Sequence, residues 1–330
     1  MVAAAASTSA QANAPPLGKH LASTDKKTRD KAVKDLSVFL SDPARAAMPP
    51  AEMAKLWKGI FYCFWMSDKP LVQQALASSL AELLLSIPTP TTALEFLRGF
   101  WESTVREWAG IDRYRIDKFY MLIRRFTNAA FRLLMRESWP APLCAQYTDI
   151  LTARGGPLCP DDIKVPPSLA YHLADIYLEE LDKAFASSEQ PSPAPLSLVM
   201  DPFFSLAART GTKTVVQRVQ SAVLDPLFSA LDEHNNGSDE EEDEEDDEED
   251  ADAARHRKRP RLSAPEYSHV LSSSCLVNSE EEGALSAGAL KKGLLKRLFE
   301  VASDERTRDA NRRKMYAFWK SHADDAEESD

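Results

Sequence analysis

The chain has 330 residues, of which 44% are apolar and only 11 are glycine. A chain of this length can bury a substantial core, and the shortage of glycine argues against β-sandwiches and barrels, which need many tight turns. The net charge of −11 belongs to one tract: charges balance over residues 1–237, whereas residues 238–252 hold 13 acidic side chains and no basic one.

The four cysteines form no CxxC pair, so they are predicted to be reduced, buried thiols of an intracellular protein. Residues 1–16 are rich in Ala, Ser and Pro and are expected to be disordered. They lack the basic start and apolar block of a signal peptide. No stretch approaches the ~20 apolar residues of a membrane span, so none is predicted.

Apolar residues recur with the 3.6-residue period of a helix from Leu17 onward. Thr24 and Asp25 are suited to cap the first long helix, and prolines separate it from the helices that follow. Further helices are predicted at about residues 50–66, 71–87, 91–108, 111–138, 140–155 and 167–186.

The connection 187–195 is expected to be flexible, and two related motifs follow it. Residues 200–205 read MDPFFS, and residues 224–229 read LDPLFS. Because an Asp-Pro pair suits the first residues of a helix, each motif is expected to begin a new one.

The predicted fold class is all-α: a HEAT-like antiparallel helical-repeat domain, with a compact helical bundle left open as the alternative. The first 232 residues contain no alternating strand pattern. The expected organisation is a disordered N-terminus, the helical-repeat domain, a disordered acidic and basic segment, a helical tail and a disordered C-terminus: residues 1–16, 17–232, 233–283, 284–322 and 323–330. Whether the tail packs on the domain or on a partner stays open.

The long fifth helix carries a basic flank. On a helical wheel its apolar residues form one stripe, and four cations fall together on one side of that stripe: Lys118, Arg125, Arg132 and Arg136. Three interpretations remain: a solvated flank whose stems cover apolar surface, a row facing RNA phosphates, or pairing with acids of a neighbouring helix. These cations are the candidate site for RNA or a partner.

Aromatic residues crowd the early helices, and most are expected in the core. Tyr62, Trp65 or Trp101 are candidates for a protein interface, because exposed aromatic rings favour binding.

A basic cluster follows the acidic tract directly. It is predicted to be a nuclear import signal, recognised by an import receptor, and consists of Arg255, Arg257, Lys258, Arg259 and Arg261. The alternative is a generic patch neutralised by the acidic tract. That tract itself suits a solvated spacer or a mimic of polyphosphate.

No motif for catalysis or metal binding occurs in the sequence: it holds no HExxH, no phosphate-binding glycine loop and no Cys/His spacing for zinc. The chain is therefore not expected to be an enzyme, to hold a cofactor or a metal, or to take a small-molecule substrate.

Three strings suggest a family: LGKHLASTDKKTRDKAVKDLSVFL (17–40), LWKGIFYCFWMSDKPLVQQALA (56–77) and IDRYRIDKFYMLIRRF (111–126). They resemble the eukaryotic nucleolar ribosomal-RNA-processing protein 1 family, and the DPFF segment extends the resemblance to about Leu231.

The resemblance implies a nucleolar assembly factor of precursor large ribosomal subunits, needed for rRNA processing without being a nuclease. It also implies contacts with pre-ribosomal proteins and precursor rRNA, and it supplies no catalytic residue to carry over. The alternative function is an acidic-tract chaperone or import adaptor for basic ribosomal proteins.

Overall fold

A computed structural model describes residues 17–43, 48–242 and 266–327. The first eight helices of these ranges are α1 (Leu17–Leu21), α2 (Lys26–Leu40), α3 (Pro50–Trp65), α4 (Pro70–Ser86), α5 (Pro90–Glu107), α6 (Ile116–Arg136), α7 (Ala141–Thr152) and α8 (Pro167–Ala186). The helices predicted from the periodicity are confirmed within a few residues, except that α6 begins five residues later than expected.

Local chemistry explains where these helices begin. Asp25 caps α2, since its carboxylate accepts a hydrogen bond of 2.9 Å from the backbone N–H of Thr28. Helices α3, α4, α5 and α8 each begin at a proline, whose fixed φ suits the first turn and whose missing N–H has no helical partner there.

The helices stack in two layers, which confirms the all-α, helical-repeat class. Helices α3, α5 and α7 pack side by side in one layer, and α2, α4, α6 and α8 in the other. Each helix buries an apolar stripe against the opposite layer. The apolar side chains therefore form one continuous core between the two layers. In this arrangement α6 lies between α4 and α8.

The expectation that both Asp-Pro motifs begin new helices is wrong. Pro202 lies inside α9 (Leu196–Arg209). A proline there removes the hydrogen bond to the carbonyl four residues back, that of Leu198, and the hydroxyl of Thr148 on α7 lies 3.5 Å from that oxygen and donates to it. A hydroxyl from the neighbouring helix thus replaces the missing backbone donor.

The second motif also lies within a continuous helical path. Helix α10 (Lys213–Val219) runs into a single π-type turn (Gln220–Leu224), which leads into α11 (Asp225–Glu242). The backbone N–H of Asp225 donates to the carbonyl of Gln220. The wider turn leaves room for the ring of Pro226, so the helix continues instead of restarting.

The C-terminal helices pack on the main helical array. They are α12 (Ser268–Ser272), α13 (Ser279–Glu282), α14 (Ala287–Ser303) and α15 (Asp309–Glu327). Helix α14 packs against α9 and α11, and α15 packs against α14 and α9. Arg297 of α14 pairs with Asp201 at 2.5 Å, and Asn311 of α15 donates to the carbonyl of Thr210 at 2.8 Å. The sequence left this docking open.

Part of the segment 233–283, expected to be disordered, is regular structure. Strand β2 (Ser274–Cys275) pairs in parallel with β1 (Ala194–Pro195). Val270 and Leu271 of α12 are fully buried, and the carboxylate of Asp182 accepts the backbone N–H of Val270 at 3.0 Å. A short apolar pair in a polar stretch gives little periodic signal, which is why the sequence did not reveal it.

Other expectations concern residues outside the described ranges: the disorder of 1–16, most of the acidic tract, the basic cluster and the last three residues of the chain. Within those ranges Cys63, Cys144 and Cys275 are buried free thiols, and Cys159 is partly exposed. Among the helices of these ranges, none has the length and the apolar composition that a membrane span requires.

Candidate functional site

Helix α6 carries the predicted basic flank, and its surroundings decide what each cation can reach. Its apolar stripe is buried as expected, including Phe119, Ile123 and Phe126. Helices α4 and α8 cover its two sides, so only a narrow strip faces solvent.

Lys118 does not lie on the exposed flank, and that expectation is wrong. The side chain is only 5% exposed, and its ammonium donates to the backbone carbonyls of Trp65 and Ser67, each at 2.7 Å. Both carbonyls lie where α3 ends, and the chain turning there toward α4 covers the lysine. Burial lowers the pKa of Lys118 to about 8. Its two hydrogen bonds hold the C-terminal end of α3, and the buried amine is not available to a ligand.

Arg132 and Arg136 both hold α6 to α4. The guanidinium of Arg132 pairs with the carboxylate of Glu82 at 2.5 Å. Arg136 pairs with Glu137 at 2.9 Å and donates to the carbonyl of Leu85 at the end of α4, also at 2.9 Å. About a third of the Arg132 side chain and two fifths of the Arg136 side chain remain exposed. For Arg132 the structure shows pairing with an acid of the neighbouring helix.

Arg125 is exposed and differs from the other cations of the row in its lack of a partner among the described residues. Within the described ranges it makes no hydrogen bond and no ion pair. By sequence it lies seven residues, about two helical turns, from both Lys118 and Arg132, so it shares the face of α6 that Arg132 occupies. The structure thus brings Arg125, Arg132 and Arg136 together on one exposed strip, and separates Lys118 from them.

The opposite side of α6 carries a more buried charge cluster that the sequence did not reveal. Arg124 pairs with Glu179 at 2.5 Å and with Glu180 at 2.8 Å, both from α8. Only 3% of the Glu180 side chain is exposed, so its charge depends on Arg124 and on Lys183, 3.3 Å away. A spacing pattern within one helix cannot show such a pair, because its members are more than 50 residues apart.

Beside Arg124, His172 of α8 contacts the same helix. Its Nε2 lies 3.0 Å from the carbonyl of Tyr120, and the two rings pack with their centroids 4.3 Å apart. Burial lowers the pKa of His172. The neutral ring therefore donates to the carbonyl and fixes α8 against α6.

A cleft of about 500 Å³ opens at the C-terminal end of α6. Arg132 and Arg136 form one wall, and serines of the turns after α6 and α8 form the other. The hydroxyl of Ser192 donates to the carbonyl of Met135 at 2.9 Å, and that of Ser187 donates to the carbonyl of Ala184 at 2.6 Å. These hydroxyls cap helix ends, so the two arginines supply the charge of the cleft.

The three aromatic candidates divide between core and surface. Trp101 is 2% exposed and belongs to the core. Tyr62 is 39% exposed, and Trp65 is partly covered by Arg115, whose guanidinium lies 4.8 Å from its ring. A stacked guanidinium of this kind stabilises the ring where it is, so Tyr62 offers the freer face.

The described residues hold no cluster of three or more His, Cys, Asp or Glu side chains able to bind a metal. Burial raises the pKa of Cys63 to about 11 and that of Cys144 to about 12, which keeps both as unreactive thiols. The five residues of the predicted import signal, between Arg255 and Arg261, lie outside the described residues.

Comparison with known proteins gives one family. The model of the nucleolar protein family Nop52 matches residues 12–322. The chain is 36% identical over 212 residues to the human Ribosomal RNA processing protein 1 homolog B, and 29% identical over 318 residues to the human homolog A. It is 30% identical over 207 residues to the homolog of Drosophila melanogaster.

The aligned part differs between these relatives. It covers 63% of this chain and 27% of human homolog B, 91% of this chain and 68% of human homolog A, and 62% of this chain and 29% of the Drosophila protein. The chain thus spans only part of the length of the relatives it matches.

Proposed function

Because the chain belongs to the Nop52 family of nucleolar proteins, we propose that it is a non-enzymatic assembly factor of precursor large ribosomal subunits. Family membership places the protein in the nucleolus. Its relatives are named for ribosomal RNA processing, and this chain is proposed to support the same process as a scaffold for pre-ribosomal proteins and precursor rRNA.

The observation that carries this proposal is the extent of the family match. Residues 12–322 include every described helix from α1 to α14 and most of α15, so the family is defined on the whole helical array. Stacked helices of this type present long continuous surfaces, which suit the simultaneous binding of several partners.

The strip of Arg125, Arg132 and Arg136 is the proposed contact with precursor rRNA phosphates. Replacing Arg125 and Arg132 by alanine is expected to weaken RNA binding to a similar degree for different sequences. The slope of log affinity against log salt should become shallower by about 0.7 for each cation removed, since each neutralised phosphate releases counterion. A salt titration of binding to single-stranded RNA measures this slope.

The matched control for that titration removes two exposed arginines from elsewhere, Arg106 and Arg154. It should leave the slope unchanged. The Arg125→Ala change should alter the free energy of unfolding by less than about 0.5 kcal/mol, because the side chain is exposed and unpaired. An unchanged slope for the Arg125/Arg132 variant, with folding intact, would exclude the strip as an RNA site. Loss of particle association with normal RNA binding would identify it as a protein interface.

A scaffold and an acidic chaperone differ in which part of the chain they need. Replacing residues 238–252 by a Gly/Ser segment of equal length removes 13 acidic side chains. A scaffold should still support rRNA processing in cells that lack the endogenous protein, whereas a chaperone for basic ribosomal proteins should fail. Precursor rRNA levels measured on a northern blot decide between the two, and accumulation of precursor with this variant would refute the scaffold.

The same cells test the proposed import signal. Changing Arg257, Lys258 and Arg259 to alanine should leave the fluorescently tagged protein substantially in the cytoplasm, because an import receptor reads such a cluster through its charge. Lys31 and Lys34 of α2 are exposed cations outside the cluster. Changing them to alanine should leave the protein in the nucleus. Unaltered nuclear accumulation of the first variant would contradict recognition of the cluster by an import receptor.

A further inference from the structure

Three aromatic rings meet at the surface where α14 and α15 pack together. The ring of Phe299 lies 5.3 Å from that of Tyr316 and 5.2 Å from that of Trp319, centroid to centroid. Phe299 is 42% exposed, and the other two are partly exposed. A phenyl ring that leaves so much of its surface in water stabilises the fold little, and its face remains available for stacking.

Four exposed cations share the helix faces that carry these rings. Lys292 and Lys296 precede Phe299 by seven and three residues, so they share its face of α14. Arg313 and Lys320 lie three residues before and four residues after Tyr316, on the corresponding face of α15. Within the described ranges none of the four makes a hydrogen bond or an ion pair.

Three other cations of the same helices, which are less exposed, are engaged. Lys291 pairs with Asp232 at 2.6 Å, and Arg297 pairs with Asp201 at 2.5 Å. Arg312 donates to the carbonyl of Ala302 at 3.0 Å. The positive charges that hold α14 and α15 in place are thus neutralised within the protein. The charges around the exposed rings are not, and their mutual repulsion favours a polyanion.

We propose that this aromatic and basic patch on α14 and α15 binds single-stranded RNA. Unpaired bases stack on Phe299 and Trp319, and the backbone phosphates pair with the surrounding lysines and arginines. A single strand fits better than a duplex, because bases in a duplex are already stacked on each other and cannot reach a ring. The site lies on different helices from the strip on α6, so it goes beyond the proposed function. Its RNA binding can be tested independently of the RNA binding proposed for that strip.

The test measures RNA binding by the 330-residue chain. Fluorescence anisotropy of a labelled 15-nucleotide single strand of mixed sequence reports the affinity. Phe299→Ala should weaken binding about fivefold or more with an unchanged salt slope, because it removes a stacking partner and no charge. Phe299→Leu keeps the apolar bulk and should weaken binding in the same way. Lys292→Ala/Lys296→Ala should make the salt slope shallower by about 0.7 for each cation.

The matched controls separate this site from general charge effects. Lys31→Ala/Lys34→Ala removes two exposed lysines of α2 and should leave the affinity and the slope unchanged. Binding to a duplex of the same sequence should not respond to Phe299→Ala. The Arg125→Ala/Arg132→Ala variant reports on the α6 strip alone, so failure of either site is seen independently.

Three results would overturn the proposal. The first is wild-type affinity for the single strand in both Phe299 variants, with unchanged circular dichroism. The second is an equal loss of duplex binding, which would remove the role of stacking. The third is a loss of protein partners from purified particles while RNA binding stays intact, which would make the patch a protein interface.

Discussion

Replacing Trp57 by alanine is expected to lower the free energy of unfolding by about 4 kcal/mol, within the range for a large aromatic side chain removed from a core. Trp57 is 2% exposed. Its ring centroid lies 4.5 Å from that of Phe96, 5.5 Å from that of Phe100 and 5.6 Å from that of Phe126. These neighbours belong to α5 and α6, so the tryptophan of α3 joins three helices and both layers.

The residues around Trp57 can shift little to fill the space that Trp57→Ala would leave. Its indole N–H donates to the carbonyl of Phe96 at 2.9 Å. A Cβ at Gly99 would clash with the indole ring, so α5 approaches the ring as closely as a glycine allows. Because the backbone already rests against the ring, alanine at position 57 leaves a cavity that the helices cannot easily close.

Urea unfolding followed by circular dichroism measures this effect. The control is Tyr62→Ala on the same helix, which should cost under about 1 kcal/mol because the ring is 39% exposed. Trp57→Phe should fall between the two, since it keeps most of the apolar surface and loses the hydrogen bond. A loss below about 1 kcal/mol for Trp57→Ala would contradict the role assigned to this side chain.

The second large effect is expected at Lys118, where alanine should cost about 3 kcal/mol. The change removes two charge-assisted hydrogen bonds and leaves the carbonyls of Trp65 and Ser67 without that donor in a buried place. The matched control is Arg125→Ala, which removes an exposed cation of the same helix. It should lower the free energy of unfolding by less than about 0.5 kcal/mol. Equal stabilities of the two variants would show that Lys118 is not a structural anchor.

The stability that depends on Lys118 should also change with pH. Burial lowers the pKa of its ammonium from 10.5 to about 8 in the folded chain. Between these values the unfolded chain holds a proton that the folded chain has lost, so raising the pH favours folding. The gap in unfolding free energy between the wild type and Lys118→Met should therefore widen from about pH 8 to pH 10, by up to about 1.4 kcal/mol per pH unit.

Comparing the two proteins at each pH removes the contribution of all other groups, which they share. Below about pH 8 both states keep the proton, and the gap should be flat. A gap that narrows as the pH rises would mean that the folded state binds the proton more tightly than the unfolded chain does.

The sequence predicted most of the early helices closely because they combine a strong apolar period with a proline or a cap at the start. Helix α6 has neither at its start, which is why its first residue was predicted too early. The sequence predicted the wrong outcome at Pro202, since the donor that rescues the helix, Thr148, lies on another helix. The docking of α14 and α15 could not be predicted either. It depends on pairs such as Arg297 with Asp201, whose members are 96 residues apart in the chain.

The candidate site shows the same limit. A helical wheel gives the direction of a side chain, and it correctly groups Arg125, Arg132 and Arg136. It does not show how far the neighbouring elements extend, so it could not show that the end of α3 covers Lys118. The patch around Phe299 could not be predicted either, because its three rings come from two different helices.

The pairing of β1 with β2 affects the order in which parts of the protein can fold during translation. The backbone N–H of Ala194 donates to the carbonyl of Ser273, and that of Ser197 donates to the carbonyl of Leu276. The two strands are about 80 residues apart in the chain. At a translation rate of 5–20 residues per second, β2 is therefore synthesised on the order of ten seconds after β1. Until then the nascent chain exposes the side of α9 on which α14 and α15 will later pack, and a chaperone at the ribosome would meet the protein with that side open.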